Sequence, residues 1–164
     1  MRNFKTIILA AITLFGTTLV SCSNDDDDDN PRSTAGIYKG LHTGYLTNDG
    51  IDNVFAFPNN PEAQVTLTDN GDGTVTIQTP SYALGESESA LVYTGYDLTV
   101  KLNNNGTFNE DYPNNIKSIS SRGNVIEFAA HFDGHVDVES KQLTYELTLN
   151  HASSHIILTF SGKK

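Results

Sequence analysis

Apolar and polar side chains alternate along most of the chain after about residue 35, and turn-forming residues interrupt this alternation about every 8 to 12 positions. Successive side chains of a strand point to opposite faces of a sheet, so the pattern is typical of strands with one buried face. Apart from the N-terminal segment, no window of comparable length shows helical periodicity. The sequence therefore predicts a single all-β domain over residues 36–164.

The segment from Asp69 to Gly73 separates two alternating segments, Val65–Thr68 and Thr74–Gln78. Asn and Gly adopt the positive φ angles that tight turns need, so this arrangement predicts a β-hairpin. The turn faintly resembles a calcium-binding loop. A loop of the EF-hand kind closes with Glu at its twelfth position, where this chain has Pro80, so the hairpin is the preferred interpretation.

The last third of the chain is regular enough to predict a register. We expect Val125 to Val138 to form one long strand, with Gly134 allowing a bend. A four-residue loop from Glu139 to Gln142 would place Val138 opposite Leu143, with both side chains facing inward.

About eight strands in sequential order predict an antiparallel up-and-down barrel, because closing the sheet removes its exposed edges. A β-sandwich is the alternative architecture. An eight-stranded barrel is either filled by side chains or just wide enough for one small ligand. The inward positions carry large side chains, which favours a filled or narrow interior. The candidates for facing the interior or a ligand are Tyr96, Phe128, Phe132, Tyr145 and Phe160.

The N-terminal segment has the arrangement of a secretory signal peptide, in which Arg2 and Lys5 precede an apolar run from Ile7 to Val20. This run is shorter than the roughly 20 residues that a membrane-spanning helix needs. The motif Leu-Val-Ser-Cys that ends at Cys22 resembles the bacterial lipobox. The resemblance implies a lipoprotein signal peptide over residues 1–21 and lipidation of Cys22, with fatty acids such as palmitate. A cleaved signal without lipid is the alternative.

Five consecutive carboxylates, Asp25–Asp29, follow closely behind Cys22. They repel one another and cannot pack, so they predict a solvated, extended spacer. We therefore assign residues 22–35 to a lipidated N-terminus and an acidic linker. An acidic run directly behind a lipidated cysteine resembles the surface-export signal of Bacteroidetes lipoproteins. The resemblance implies lipid anchoring at the outer membrane or the cell surface.

The charge of the chain restricts its partners. It has 10 Lys and Arg against 20 Asp and Glu, a formal net charge of −10 at neutral pH. Binding to nucleic acid needs clustered Lys and Arg, so a nucleic-acid partner is not expected. The acidic excess mainly favours solubility. Besides the lipid anchor, the expected partner is an unknown small molecule or an unknown protein.

The histidines include two pairs with a spacing of four positions. On a strand such positions share a face but stand about 13 Å apart, too far for one metal ion. We therefore interpret the histidines as solvated, with His135 opposite Glu146 on the outer face, and expect neither metal nor cofactor. The five histidines are His42, His131, His135, His151 and His155.

Patterns typical of catalysis are weak. Glu86, Glu88 and the pair Glu110-Asp111 are loop carboxylates without a spacing that specifies an acid and a base. The chain also lacks the Gly-x-Ser-x-Gly motif of a hydrolase nucleophile. The sequence predicts no catalytic residue and a protein that is not an enzyme.

Aromatic residues near loops are the better functional indication, because their rings suit sugar or peptide surfaces. The alternative interpretation is that most of them cap the ends of the barrel. These residues are Tyr45, Phe55, Phe57, Tyr82, Tyr93 and Tyr112.

Three short segments carry a resemblance to a family. The domain begins Gly-Ile-Tyr-Lys-Gly at residues 36–40, ends Ile-Leu-Thr-Phe-Ser-Gly-Lys-Lys at residues 157–164, and contains Asn-Gly-Asp-Gly-Thr-Val at residues 70–75. With the meander of strands, this resembles the calycin-like (lipocalin-like) β-barrel lipoproteins of Bacteroidetes. Lipocalins carry Trp on the first strand, whereas this chain has no Trp and has Tyr38 at the matching place. The resemblance implies that Tyr38 plugs the base of the barrel, and it implies no ligand.

Two functions fit these expectations. The first is a membrane-anchored lipoprotein whose barrel binds a small apolar or glycan ligand without catalysis. The second is a structural or interaction lipoprotein with a filled barrel, acting as an accessory subunit or an inhibitor.

Overall fold

The structure is a computed structural model that describes residues 34–49, 51–85 and 91–164. The predicted signal peptide, the lipidated Cys22 and the acidic run lie outside the described residues. No helix in the described ranges is long and apolar enough to cross a membrane. The strands of these ranges are β1 (Gly36–Asn48), β2 (Ile51–Ala56), β3 (Asn60–Asp69), β4 (Thr74–Gln78), β5 (Tyr82–Leu84), β6 (Leu91–Tyr93), β7 (Asp97–Lys101), β8 (Thr107–Ile119), β9 (Val125–Asp137), β10 (Gln142–His151) and β11 (Ser154–Lys163).

Eight of these strands form one antiparallel sheet in the order β7-β4-β3-β1-β11-β10-β9-β8. β8 to β11 pair in chain order, and β1, β3, β4 and β7 do so with β2, β5 and β6 left out. The two halves are joined because the first strand, β1, pairs with the last, β11, from Lys39 opposite Lys163 to Asn48 opposite Ser154. The sheet is strongly curled into a half-barrel. In addition, β2 pairs with β1, and β5 and β6 form a small second sheet. The prediction of an all-β, antiparallel, barrel-like domain is confirmed.

The edge strands β7 and β8 meet through side chains rather than through a backbone ladder. The hydroxyl of Tyr112 donates a hydrogen bond to the carbonyl oxygen of Thr99 at 2.6 Å. The amide of Lys101 donates to Oε1 of Glu110 at 3.3 Å. We call this contact between the two edges the seam.

Aromatic rings fill one part of the interior. The rings of Phe108, Phe132, Tyr145 and Phe160 follow one another with centroid separations of 5.0, 5.2 and 5.5 Å. Such spacings are favourable for ring pairs and add to the gain from burying their apolar area. The interior candidates Tyr38, Tyr96, Phe128, Phe132, Tyr145 and Phe160 are all buried.

Gly134 serves close packing within β9. The strand pairs without interruption through this residue, which lies opposite Tyr145 on one side and Phe108 on the other. A Cβ atom at this position would lie only 2.5 Å from Cζ of Phe108. Glycine therefore lets the Phe108 ring pack against the inner face of the strand.

The predicted register of the β9–β10 hairpin is wrong by two residues. Leu143 lies opposite Val136 rather than Val138, and Val138 is 51% exposed in the turn. The cause is the side chain of Asp137, whose Oδ1 accepts hydrogen bonds from the amides of Glu139 and Ser140 at 3.0 and 3.1 Å. This local turn ends the strand one residue early. Because side chains of a strand alternate with a period of two, a shift of two positions leaves the remaining side chains of the hairpin on their predicted faces.

The two ends of the half-barrel differ in what they carry. At one end, residue 34 precedes β1, and the amide of Lys164 donates to the carbonyl of Lys141 in the β9–β10 turn. We call this the terminal end. The opposite, distal end carries the β10–β11 turn, the β8–β9 turn and the small β5–β6 sheet, in which Tyr93 pairs with Ser120 of the β8–β9 turn.

We expect Phe132→Ala to lower the free energy of unfolding by about 3–5 kcal/mol, because it removes a fully buried ring and leaves a cavity. The control is Val138→Ala in the exposed turn, for which we expect a change within about 0.5 kcal/mol. Chemical denaturation of both variants measures the difference. Equal losses would contradict the observed register.

Candidate functional site

The distal end contains a pocket that encloses about 230 Å³ between β1 and the small β5–β6 sheet. Larger depressions of about 570 and 520 Å³ lie across β8 to β11 and beside the β3–β4 turn, but they are shallow and open to solvent. We call the enclosed one the distal pocket. The residues that line it are His42, Thr43, Gly44, Phe57, Pro58, Asn59, Asn60, Ser81, Tyr82, Ala83, Val92 and Leu158.

His42 is the unusual group of the distal pocket. It shares the inward face of β1 with Tyr38 and lies opposite Phe160 on β11, where it is only 5% exposed. Its Nε2 atom is buried and has no hydrogen-bond partner among the described residues. Burial lowers the pKa of His42 from 6.5 to about 4. The imidazole is therefore neutral at physiological pH. The expectation that the histidines are solvated is wrong for His42.

Stacked aromatic rings close the pocket toward the distal end. The ring of Tyr82 lies 6.1 Å from that of Phe57 and 5.4 Å from that of Tyr93. The Tyr82 hydroxyl lies 3.1 Å from the hydroxyl of Tyr96 and donates to Oγ of Ser118 at 3.4 Å. Burial raises the pKa of both Tyr82 and Tyr96. Ring contacts and hydrogen bonds thus fix Tyr82 at both ends of its side chain.

Gly44 allows Phe57 to fold over the pocket. The Phe57 amide donates to the carbonyl of Gly44 at 2.8 Å. A Cβ atom at Gly44 would lie 2.9 Å from Cδ2 of Phe57 and 2.7 Å from Cδ2 of Leu158. Any larger residue would therefore displace the aromatic wall.

Three of the six aromatics near loops, Phe57, Tyr82 and Tyr93, are buried in this wall. Phe55 is exposed, and Tyr45 and Tyr112 are half-buried. For the buried three, the capping interpretation agrees with the structure. Phe57 and Tyr82 also line the distal pocket, so these two residues fit both the capping interpretation and the interpretation that they contact a ligand.

The paired histidines are not brought together. His131 lies 2.7 Å from Asp111 and 3.6 Å from Asp133, and the other three have separate neighbours. His135 lies opposite Thr144, not Glu146, because of the register shift in the hairpin. Within the described ranges no group of three His, Cys, Asp or Glu side chains could hold a metal ion. The neighbours are the Asn105 carbonyl for His135, the Glu127 carbonyl for His151, and Asn150 and Asp49 for His155.

Two tyrosines of the interior have contrasting hydroxyls. Tyr38 donates to the carbonyl of Thr34 at 2.6 Å, at the terminal end. The Tyr145 hydroxyl is buried among rings without a hydrogen-bond partner in the described part of the chain. Burial raises the pKa of both groups. That any of the six interior side chains faces a ligand stays a prediction.

No protein-family model matches the chain, and no curated protein matches it. Among solved structures, it is similar to the crystal structure of a "putative outer membrane protein" from Bacteroides fragilis NCTC 9343, with a TM-score of 0.53 and 14% identity. The match covers 81% of this chain and 52% of that one, so this chain spans about half the length of its neighbour. At this identity the likeness concerns the fold, and the calycin-like family assignment stays a prediction.

Because the pKa of His42 is about 4 in the folded protein and about 6.5 when unfolded, the unfolded chain takes up a proton first as the pH falls. The contribution of His42 to the free energy of unfolding is fully present above pH 6.5. It is lost as the pH falls from 6.5 to 4, by about 3 kcal/mol at most. Denaturation at pH 7 and pH 4 should show a larger loss for the natural protein than for His42→Leu. Surface carboxylates contribute alike to both, so equal losses would contradict a buried neutral imidazole.

We expect Tyr145→Phe to raise the free energy of unfolding by about 1 kcal/mol, because it removes a buried hydroxyl that has no partner among the described residues. The matched variant Tyr82→Phe removes a hydroxyl that has two partners and should lower it by about 1 kcal/mol. Thermal and chemical denaturation report both signs. Destabilisation by Tyr145→Phe would mean that this hydroxyl is bonded in solution.

Proposed function

We propose that the protein is a lipid-anchored lipoprotein of the outer membrane and cell surface that binds a small ligand at its distal end, without catalysis. The observation that carries this proposal is the separation of the two ends of the fold. The first described residues lie at the terminal end, whereas the distal pocket lies between the middle of β1 and the small β5–β6 sheet of the opposite end. An anchor at Cys22 would therefore hold the terminal end toward the membrane and present the pocket to the surroundings.

The filled interior supports binding at the distal pocket rather than deep inside the barrel. The series of rings from Phe108 to Phe160 occupies the space that a carrier of this architecture would use for its ligand. The distal pocket has the features expected of a ligand site, an apolar wall with a few converging polar groups and one side chain with a strongly shifted pKa.

The name of the solved neighbour is compatible with a location at the outer membrane, although it describes that protein only. The acidic run behind Cys22 supports export to the surface. Among the described lining residues, one neutral imidazole stands among amides, hydroxyls and apolar groups, which supports binding rather than catalysis.

A role in binding a partner protein is the second candidate, and one observation favours it. Ile119 and Val125 lie opposite each other at the distal end with their side chains exposed. Exposed Val92 is close by, because its carbonyl accepts a hydrogen bond from the Ser121 amide. Adjacent exposed apolar side chains are typical of contact surfaces.

The anchor is tested by Cys22→Ala, which should move the protein from the membrane fraction to the soluble fraction. Retention in the membrane would contradict the lipid anchor. Because Cys22 is the only cysteine, a second cysteine at Ser153 in the distal β10–β11 turn can be labelled selectively. A membrane-impermeant maleimide should label Ser153→Cys in intact cells. Labelling only after lysis would contradict a surface location.

A further inference from the structure

The chemistry of the distal pocket indicates which class of ligand it takes, an inference that rests on the binding role proposed above. With a volume of about 230 Å³, the pocket is smaller than the roughly 300–1,000 Å³ typical of sites for drug-sized molecules. It has room for one small ring rather than for a long chain or an oligomer.

The pocket is uncharged among the residues that the structure describes. None of its lining residues is Asp, Glu, Lys or Arg, and burial keeps His42 neutral by lowering its pKa to about 4. A charged ligand would lose its hydration without gaining an opposite charge, which is costly. The lining therefore selects a neutral ligand.

The lining is also divided into an apolar wall and a polar rim. Phe57, Tyr82 and Leu158 are buried, whereas Asn59, Asn60 and Ser81 are exposed at the mouth. A ligand that matches both parts has an apolar face for the rings and hydrogen-bonding groups along its edge.

His42 adds a specific requirement at the buried side of the pocket. A neutral imidazole has one nitrogen that donates and one that accepts, and leaving either unpaired in the interior costs about 1–3 kcal/mol. Nε2 of His42 is buried without a partner among the described residues, so a ligand group pairs with it only when the imidazole turns toward the pocket. A hydroxyl group can either donate or accept, so it satisfies Nε2 in both tautomers.

We propose that the distal pocket binds a single neutral sugar ring, with its C–H face against Phe57 and Tyr82 and one hydroxyl on Nε2 of His42. A sugar ring combines the properties that the pocket requires: small size, absence of charge, an apolar face and hydroxyls around the edge. The ligand in the cell is then a free monosaccharide or one neutral residue of a glycan.

The test uses the full chain in a detergent without a sugar headgroup, with binding measured by saturation-transfer NMR and calorimetry. The probes are glucose, galactose, mannose, fucose and N-acetylglucosamine, at concentrations of about 10 mM because one small ring binds weakly. Glucuronic acid and glucosamine serve as charged counterparts. We expect at least one neutral sugar to bind and both charged sugars to bind at least tenfold more weakly.

Two variants locate the site. Ser81→Tyr places a bulky side chain at the exposed rim and should weaken binding at least tenfold, while Ser153→Tyr, in a distal turn outside the pocket, should leave it unchanged. His42→Leu should weaken binding about tenfold, the loss expected for one hydrogen bond to the ligand, and His42→Gln should retain part of it. Unchanged thermal midpoints for the two Tyr variants show that the fold is intact.

Other outcomes overturn the proposal in distinguishable ways. If a neutral aromatic alcohol such as p-cresol binds with sensitivity to Ser81→Tyr and no sugar does, the sugar assignment is wrong while the binding role stands. If charged sugars bind as well as neutral ones, the pocket does not select by charge. If no probe is sensitive to Ser81→Tyr, both the sugar assignment and the small-ligand role fail, and the partner-protein role remains.

Discussion

The pairing of the first strand with the last determines the rest of this architecture. Ten consecutive positions, from Lys39 opposite Lys163 to Asn48 opposite Ser154, join the two halves of the chain into one curled sheet. Without this ladder, β1 to β7 and β8 to β11 would be two separate meanders, each with one apolar face open to water. The ladder also places residue 34 and the C-terminal residues at the same end. The difference between the terminal end and the distal end therefore follows from one pair of strands.

The same sheet explains where the candidate site lies. The inward face of β8 to β11 carries Phe108, Phe132, Tyr145 and Phe160, whose rings contact one another across four strands. In the same rows β1 has His42, opposite Phe160, and Gly44, opposite Leu158, so the lining beside the rings is smaller and more polar. The β5–β6 sheet and Phe57 cover this region, and an enclosed pocket remains beneath them.

Much of the fold was predictable because alternation determines which face of a strand is buried. The strand pattern, the hairpin at Asp69 to Gly73 and the burial of Phe132 all follow from period two alone. The exact register does not, because it depended on one side chain, Asp137, forming a local turn. The site was harder to predict. His42 has the same parity as Tyr38 on β1, which could have indicated that it faces inward. Its position across the pocket from Tyr82 and Ser81 depends on the path of β5, a strand of three residues that is too short for alternation to predict.

The seam between β7 and β8 has a consequence for how copies of this protein behave when crowded. Unpaired strand edges are templates on which another chain can add a strand, and long flat edges lead to aggregation. Here one edge strand has five residues, with Asp97 and Lys101 at its ends, and the other contains Pro113 beside a break in register between Tyr112 and Ile116. Tyr112 and Glu110 further occupy backbone groups of β7. The gap in the barrel is thus protected against the addition of a strand from another copy.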